Sequence, residues 1–355
     1  MKPLASALAR TTEPVRATAA LYLHVPFCSA RCAYCDFDTF AGLETLIPAY
    51  ARALVREIRA TGERGLIDVS TVYIGGGTPS LLPLQVVADL VDALQNAFDL
   101  TACLEFSFEA NPGTVSAEYL RGLRELGVDR LSLGVQSADE RELERLGRIH
   151  SWRDAAQAVA WSREAGFENL SLDLLFGVPA QSLSGWETTL ERVLRLRPEH
   201  LSLYGLVIEE GTCLAERIRR GDVAPVDNDL AADMYELAEG MLAQAGFFHY
   251  EVSNWARAGS SCVTESGQWW PEETAEALDA VLSERITPHV CHHNLTYWRN
   301  EPWLGLGGAA HSWVPAGFPA CGVSVAPEPG VGARWANPTH PQDYIGAVLE
   351  AEGHP

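Results

Sequence analysis

Three of the eight cysteines in this 355-residue chain crowd into one short stretch, as Cys28, Cys32 and Cys35. Random placement would give about 0.004 such C-x3-C-x2-C triplets in a chain of this cysteine content, so the spacing has a cause. Three thiolates on one loop can converge on a single metal centre. Zinc wants a fourth ligand, which His24 or Asp36 could supply. A [4Fe–4S] cluster ordinarily takes four cysteines; three leave one iron open, and an open position is how a metal centre meets a substrate. Cys103, Cys213, Cys262 and Cys321 stand at no metal spacing and read as ordinary buried or surface thiols.

The triplet directly follows LYLHVPF (21–27), the first of six apolar runs. The others are TVYIGG (71–76), LEFSFEAN (104–111), RLSLGVQS (130–137), NLSLDLLFGVP (169–179) and HLSLYGLVIEE (200–210). Amphipathic stretches at 50–60, 83–98 and 186–197 lie between them. Strands alternating with helices imply βα units and a parallel sheet, and six units predict an α/β fold with a partial (β/α)6 barrel over 21–215. Ligands bind such sheets at the C-terminal strand ends. There the chain carries Gly75-Gly76-Gly77-Thr78, Glu109, Asn111, Gln136, Asp173 and Glu209. Polar residues ending nearly every strand read as a binding site.

Residues 1–20 read as an N-terminal extension and 216–355 as an accessory region. Within the latter a helix is expected over 227–246, and 259–290 reads as an insertion with its own helix at 272–285. Acidic residues number 47 against 26 basic, a net charge of −21, which argues against nucleic acid or anionic membrane as partner. No run of 18 apolar residues predicts a spanning helix, and the first twenty residues lack the apolar stretch of a secretion signal. Clustered cysteines without export features suggest a cytoplasmic protein that uses thiols for metal or redox chemistry.

The triplet at the end of a first strand, the aromatic Tyr34 before its third cysteine and the GGGTPS run (75–80) resemble the radical S-adenosylmethionine (SAM) superfamily. Further stretches, among them HVPFCSARCAYCDF, EANPGT, LGRIH, YEVSNWA and HNLTYWRNEPWLGLG, are similar to its HemN/HemW group, over roughly 20–258 and 290–350. The resemblance implies a [4Fe–4S] cluster on Cys28, Cys32 and Cys35, with SAM chelating the open iron. One electron from the reduced cluster would cleave SAM to methionine and a 5′-deoxyadenosyl radical. It also implies a SAM site of Tyr22, Gly76, Gly77, Thr78, Glu109, Gln136, Arg148 and Asp173. Carboxylates suit the ribose hydroxyls or the amino group, and Arg148 suits the methionine carboxylate.

The group contains haem chaperones and oxygen-independent coproporphyrinogen III dehydrogenases. The dehydrogenases resemble C-x3-C-x2-C-x-C, whereas the final position here is Phe37, and they carry a longer segment ahead of the cysteines. HNLTYW (293–298) matches a motif linked to haem binding on the chaperone side. His293 is the first choice as haem ligand and Tyr297 the second; neutral imidazole suits haem iron, and Tyr and Trp offer flat apolar faces. Cys291 and His292 adjoin the motif, Arg257 and Arg299 flank it as partners for propionates, and His311 reads as structural or substrate-facing. The expected function is a haem chaperone that passes haem to an acceptor protein, with a homodimer as a further expectation. Coproporphyrinogen III decarboxylation is the alternative, and a degraded relative that only holds a cluster is a third reading.

Three departures from the group stand out. The 259–290 insertion abuts the motif, and Ala309 replaces a glycine in GLGGAAHS, which would strain a left-handed backbone. The resemblance also implies a helical domain beyond PQDYIGAVLEAEGHP, so the chain reads as truncated, with apolar surface left on the barrel's flank.

Overall fold

The computed structural model describes residues 16–63, 67–225, 227–258, 289–318 and 332–350. The insertion read at 259–290, with its helix, falls almost wholly outside them, as do Cys262 and Cys321. All six expected strands form: β1 (Ala17–Val25), β4 (Ile67–Gly76), β5 (Glu105–Ala110), β6 (Arg130–Gln136), β7 (Asn169–Phe176) and β8 (His200–Gly205). They pair in that order, all parallel. Two-residue strands β2 (Phe27–Cys28) and β3 (Phe40–Ala41) pair at the two ends of the cysteine loop. β1 starts at Ala17, earlier than the apolar run suggested, because the alanines at 17 and 19 pair with β4 and Ala20 pairs with Trp303, with no hydrophobic pattern to announce it.

Three connecting helices appear near their expected places, α1 (Ile47–Gly62), α2 (Leu84–Ala97) and α6 (Leu183–Arg195), and three more join them, α3 (Ala117–Glu125), α4 (Glu140–Leu146) and α5 (Trp152–Glu164). Side-chain caps start several of them. Ser116 opens α3, and Ser151 with Asp154 forms a reciprocal capping box on α5. Beyond residue 212 follow α7 (Cys213–Arg219) and α8 (Asn228–Gln244), the latter matching the helix expected there.

The later strands extend this same sheet at both edges. β9 (Phe247–Glu251) and β10 (Asn254–Arg257) add antiparallel beyond β8. At the other edge β11 (Trp303–Leu306) lies parallel to β1, followed by antiparallel β12 (His311–Val314) and β13 (Ala333–Ala336). Among the described residues the result is an open eleven-stranded sheet, β13-β12-β11-β1-β4-β5-β6-β7-β8-β10-β9, a partial barrel that does not close. Two helices complete the described chain: α9 (His292–Trp298) and α10 (Pro341–Leu349).

Strand side chains alternate between faces. Leu21, Leu23, Val72, Ile74, Phe106, Phe108, Leu131, Leu133, Leu172 and Leu201 pack against the helices in one apolar core. The alternate positions carry hydroxyls, carboxylates and imidazoles: Tyr22 and His24 on β1, Thr71 and Tyr73 on β4, Glu105 and Glu109 on β5, Arg130 and Ser132 on β6, Asp173 on β7 and His200 on β8. They hydrogen-bond across strands, as Ser132 Oγ does to Asp173 at 2.9 Å and Ser171 Oγ to His200 Nδ1 at 2.8 Å. Polar character therefore runs the length of the inner face.

Candidate functional site

The cysteine loop rises from β2 and folds over the C-terminal edge of the sheet. Its middle is fixed by backbone bonds from Ala33 N to Leu146 O and from Leu214 N to Ala33 O, at 3.0 and 2.7 Å. Cys28, Cys32 and Cys35 are half-buried free thiols. Each sulfur has a polar neighbour: Thr78 Oγ1 at 3.5 Å from Cys28, the Arg148 guanidinium at 3.3 Å from Cys32 and Thr39 Oγ1 at 3.8 Å from Cys35. Burial pushes the Cys28 thiol up and the Thr78 hydroxyl opposes it. His24 is already engaged, with Nδ1 on the Tyr22 hydroxyl at 3.0 Å and Nε2 on the Asp38 carbonyl at 3.2 Å. Among the described residues no three or more His, Cys, Asp or Glu side chains close on a single ion. A closed zinc site completed by His24 therefore has no support, whereas a cluster asks each thiolate to bind its own iron.

The three cysteines share a cleft of about 420 Å³ with seven of the eight residues expected to meet SAM. That size suits a small molecule. Gly76, at φ +117°, turns the chain so that its N–H donates to Glu109 Oε2 at 3.0 Å. Gly77 N and Thr78 N bond back to the Val25 and Phe27 carbonyls, each at 2.8 Å. A Cβ on Gly77 would stand 2.7 Å from the Phe27 oxygen and 3.0 Å from Cys28 Sγ, so only glycine lets this turn approach the thiol. Burial and the Asp173 charge push the Glu109 carboxyl up to about 7, against hydrogen bonds from Tyr73 and Gly76. Asp173 is likewise raised by burial, with serine hydroxyls opposing.

Gln136 adopts the left-handed conformation, φ +67°, unusual for a non-glycine residue and frequent at functional sites. Gly134 makes room for it: a Cβ there would lie 2.9 Å from Gln136 Nε2 and 3.3 Å from Arg148 Nη2. Arg148 donates from Nη1 to Cys32 and from Nη2 to the Gly134 carbonyl at 2.8 Å, while its buried Nε has no hydrogen-bond partner among the described residues. An orphaned guanidinium N–H at a cleft wall fits a site that receives a ligand carboxylate. Tyr22, the eighth residue, does not line the cleft. Its ring lies deeper, 6.1 Å from Tyr73 and 6.2 Å from His293. Phe37, 66% exposed, stands at the cleft mouth.

The HNLTYW segment forms most of α9, which lies across the inner face of β4 and β5. His293 is 1% exposed, points inward and uses both ring nitrogens. Nδ1 bonds Thr71 Oγ1 at 2.8 Å and Nε2 bonds the Tyr297 hydroxyl at 2.9 Å. Burial lowers its pKa to about 4, so it is neutral. Trp298 is 59% exposed, whereas Tyr297 turns its hydroxyl in to His293 and sets its ring edge-on to Trp303 at 4.9 Å. The helix start is seated on buried Glu105, whose Oε2 accepts from His292 N at 2.8 Å and whose Oε1 is 3.4 Å from Cys291 Sγ. Arg257 is occupied by Phe247, stacked at 4.6 Å, and by the Pro198 and Ala245 carbonyls. Arg299 caps the end of α9. His311 is exposed on β12, and its carbonyl accepts from Trp303 Nε1 at 3.1 Å.

Thr71, Tyr73, Glu105 and Arg130 went unnoticed in the sequence, although they organise both regions. Their signal was the i, i+2 recurrence of polar residues inside runs read only as apolar.

The Radical SAM superfamily profile matches residues 22–193. The heme chaperone HemW of Mycobacterium tuberculosis (strain H37Rv) is 37% identical over 341 residues, 94% of this chain and 76% of that protein. HemW of Bacillus subtilis (strain 168) is 35% identical over 295 residues, covering 82% and 70%. The structure of coproporphyrinogen III oxidase HemN from Escherichia coli superposes with a TM-score of 0.73 at 23% identity, over 96% of this chain and 71% of that one. That is a shared fold. The chain belongs to the radical SAM superfamily, within its HemN/HemW group, and its curated relatives above are HemW proteins. Membership implies SAM and a [4Fe–4S] cluster as cofactors. Among the described residues no helix is long and apolar enough to cross a membrane.

Proposed function

We propose that the chain is a haem chaperone, built on a radical SAM scaffold, that passes haem to an acceptor protein. In this reading Cys28, Cys32 and Cys35 hold the [4Fe–4S] cluster. Gly76, Gly77, Thr78, Glu109, Gln136, Arg148 and Asp173 receive SAM, with Tyr22 beneath them. When bound, the reduced cluster supplies the electron for reductive chemistry on SAM. The chain's own residues do the placing. Arg148 offers its unpartnered Nε to a carboxylate, and Glu109 accepts from an ammonium or hydroxyl. Haem is the cargo, held at α9, where Trp298 is the exposed aromatic face. Ligation by His293 requires the Tyr297 hydroxyl to leave Nε2, so the two motif residues act as a pair.

The observation that carries this reading is the presence, in one sheet, of the three-thiol cleft and of the HNLTYW helix seated on β4 and β5. The HemW relatives support it across nearly the whole chain. The test is a haem titration of the anaerobically reconstituted protein followed at the Soret band. Saturation near one haem per chain is expected, weakened at least tenfold in His293→Ala, a loss of about 1.4 kcal/mol. Absence of saturable binding sinks the proposal. The shared fold with HemN supports the competing reading, oxidative decarboxylation of coproporphyrinogen III, which assay of the vinyl product would reveal.

A further inference from the structure

The cleft and the α9 helix meet on one side chain. Tyr73 projects from β4 between them. Its hydroxyl donates to Glu109 Oε1 at 2.7 Å, and the other oxygen of that carboxylate holds the Gly76 N–H of the glycine turn. On its other side the Tyr73 ring stacks on the His293 imidazole, with centroids 4.9 Å apart and planes at 27°. Thr71, two residues earlier on the same face, fixes His293 through Nδ1. The space is full: a Cβ on Gly75 would meet Tyr73 Cε1 at 2.7 Å and Glu109 Cδ at 2.9 Å. Close-packed groups of this kind cannot shift singly.

We infer that Tyr73 is a positioning residue that couples the two sites, so that occupancy of α9 by haem alters SAM affinity in the cleft, and the reverse. The inference rests on the haem-chaperone reading. Ligation at His293 Nε2 breaks the Tyr297 bond and re-seats the imidazole against the Tyr73 ring. The Tyr73 hydroxyl then moves relative to Glu109, and with it the carboxylate that SAM meets. Coupling between two binding equilibria is reciprocal, so one factor must describe both.

The test uses the reconstituted chain with haemin and SAM as the probes. SAM affinity is measured calorimetrically with and without saturating haemin, and haemin affinity at the Soret band with and without SAM. In the wild type the two ratios should agree and be roughly fivefold or more. Tyr73→Phe keeps the ring on His293 and removes the hydroxyl, so both ligands should bind while the ratio falls to near one. Thr71→Val, which loosens His293 without touching the cleft, should also reduce it. A wild-type ratio of one, with both ligands binding, overturns the coupling and leaves the chaperone reading intact. An unchanged ratio in Tyr73→Phe overturns it too, and failure of haemin to bind the wild type overturns both.

Discussion

The Arg148 guanidinium donates to Cys32 Sγ at 3.3 Å, across 116 positions of sequence, and so ties the cysteine loop to the end of β6. The same side chain holds the Gly134 carbonyl and keeps its Nε unpartnered. One residue thus stands between the metal ligands and the space for a ligand carboxylate.

Replacing it should separate these two roles. Arg148→Met is expected to weaken SAM binding about tenfold to a hundredfold, the worth of a charge-assisted hydrogen bond. It should also lower the cluster's midpoint potential, because a hydrogen bond to a thiolate sulfur favours the more electron-rich reduced state. Anaerobic calorimetry reads the first effect and an EPR-monitored redox titration the second. Unchanged potential would mean that Arg148 does not touch the sulfur in the loaded protein.

Cluster retention should divide the cysteines sharply. Cys28→Ser, Cys32→Ser and Cys35→Ser are each expected to lose most bound iron and sulfide and the absorbance near 400 nm after reconstitution. Cys213→Ser, which removes an exposed thiol on α7, should retain them. Equal losses in all four would contradict the assignment.

The cysteine loop was legible because three thiols at fixed spacing need no tertiary context. The six strands were legible for a similar reason, since each is an apolar run bounded by turns. His293 stood out in the sequence as part of HNLTYW, but its inward orientation did not. That orientation depends on Thr71 and Glu105, each roughly two hundred positions away along the chain. β11 was missed because WLGL is four residues long and pairs with a strand near the other end of the described chain.

Acid should destabilise the protein partly through His200. It is fully buried between Ser171 and Tyr250, and burial holds its pKa well below the ordinary value, with Arg130 and His289 adding to the effect. A base whose pKa falls on folding binds fewer protons in the folded state. Its contribution is complete above pH about 6.5 and is lost as pH falls below that. Glu109, raised from 4.5 to about 7, acts oppositely between those values, so the wild-type slope alone does not isolate the histidine. Urea midpoints at pH 7.5 and 5 should therefore converge in His200→Gln relative to wild type. An identical drop in both proteins would remove His200 from the account.

Ala309 adopts φ +63°, the left-handed strain anticipated from its place in GLGGAAHS. Such a conformation costs an alanine roughly 1–2 kcal/mol, part of which glycine recovers after its own entropy loss. Ala309→Gly should raise stability by about 0.5–1 kcal/mol, seen as a later midpoint in thermal or urea unfolding at unchanged slope. A lower midpoint would show that the buried methyl contributes more than the strain removes.

The pairing of β1 with β11 sets Leu21 beside Leu304, so β1 waits for a neighbour made much later along the chain. At roughly 5–20 residues per second, a ribosome needs on the order of 15–60 s to travel from one to the other. Once β8 has been made, and until residue 292 is reached, the thiol loop, the glycine turn and β4 through β8 exist without the histidine helix. The seat formed by Thr71, Tyr73 and Glu105 is therefore made well before the helix that rests on it.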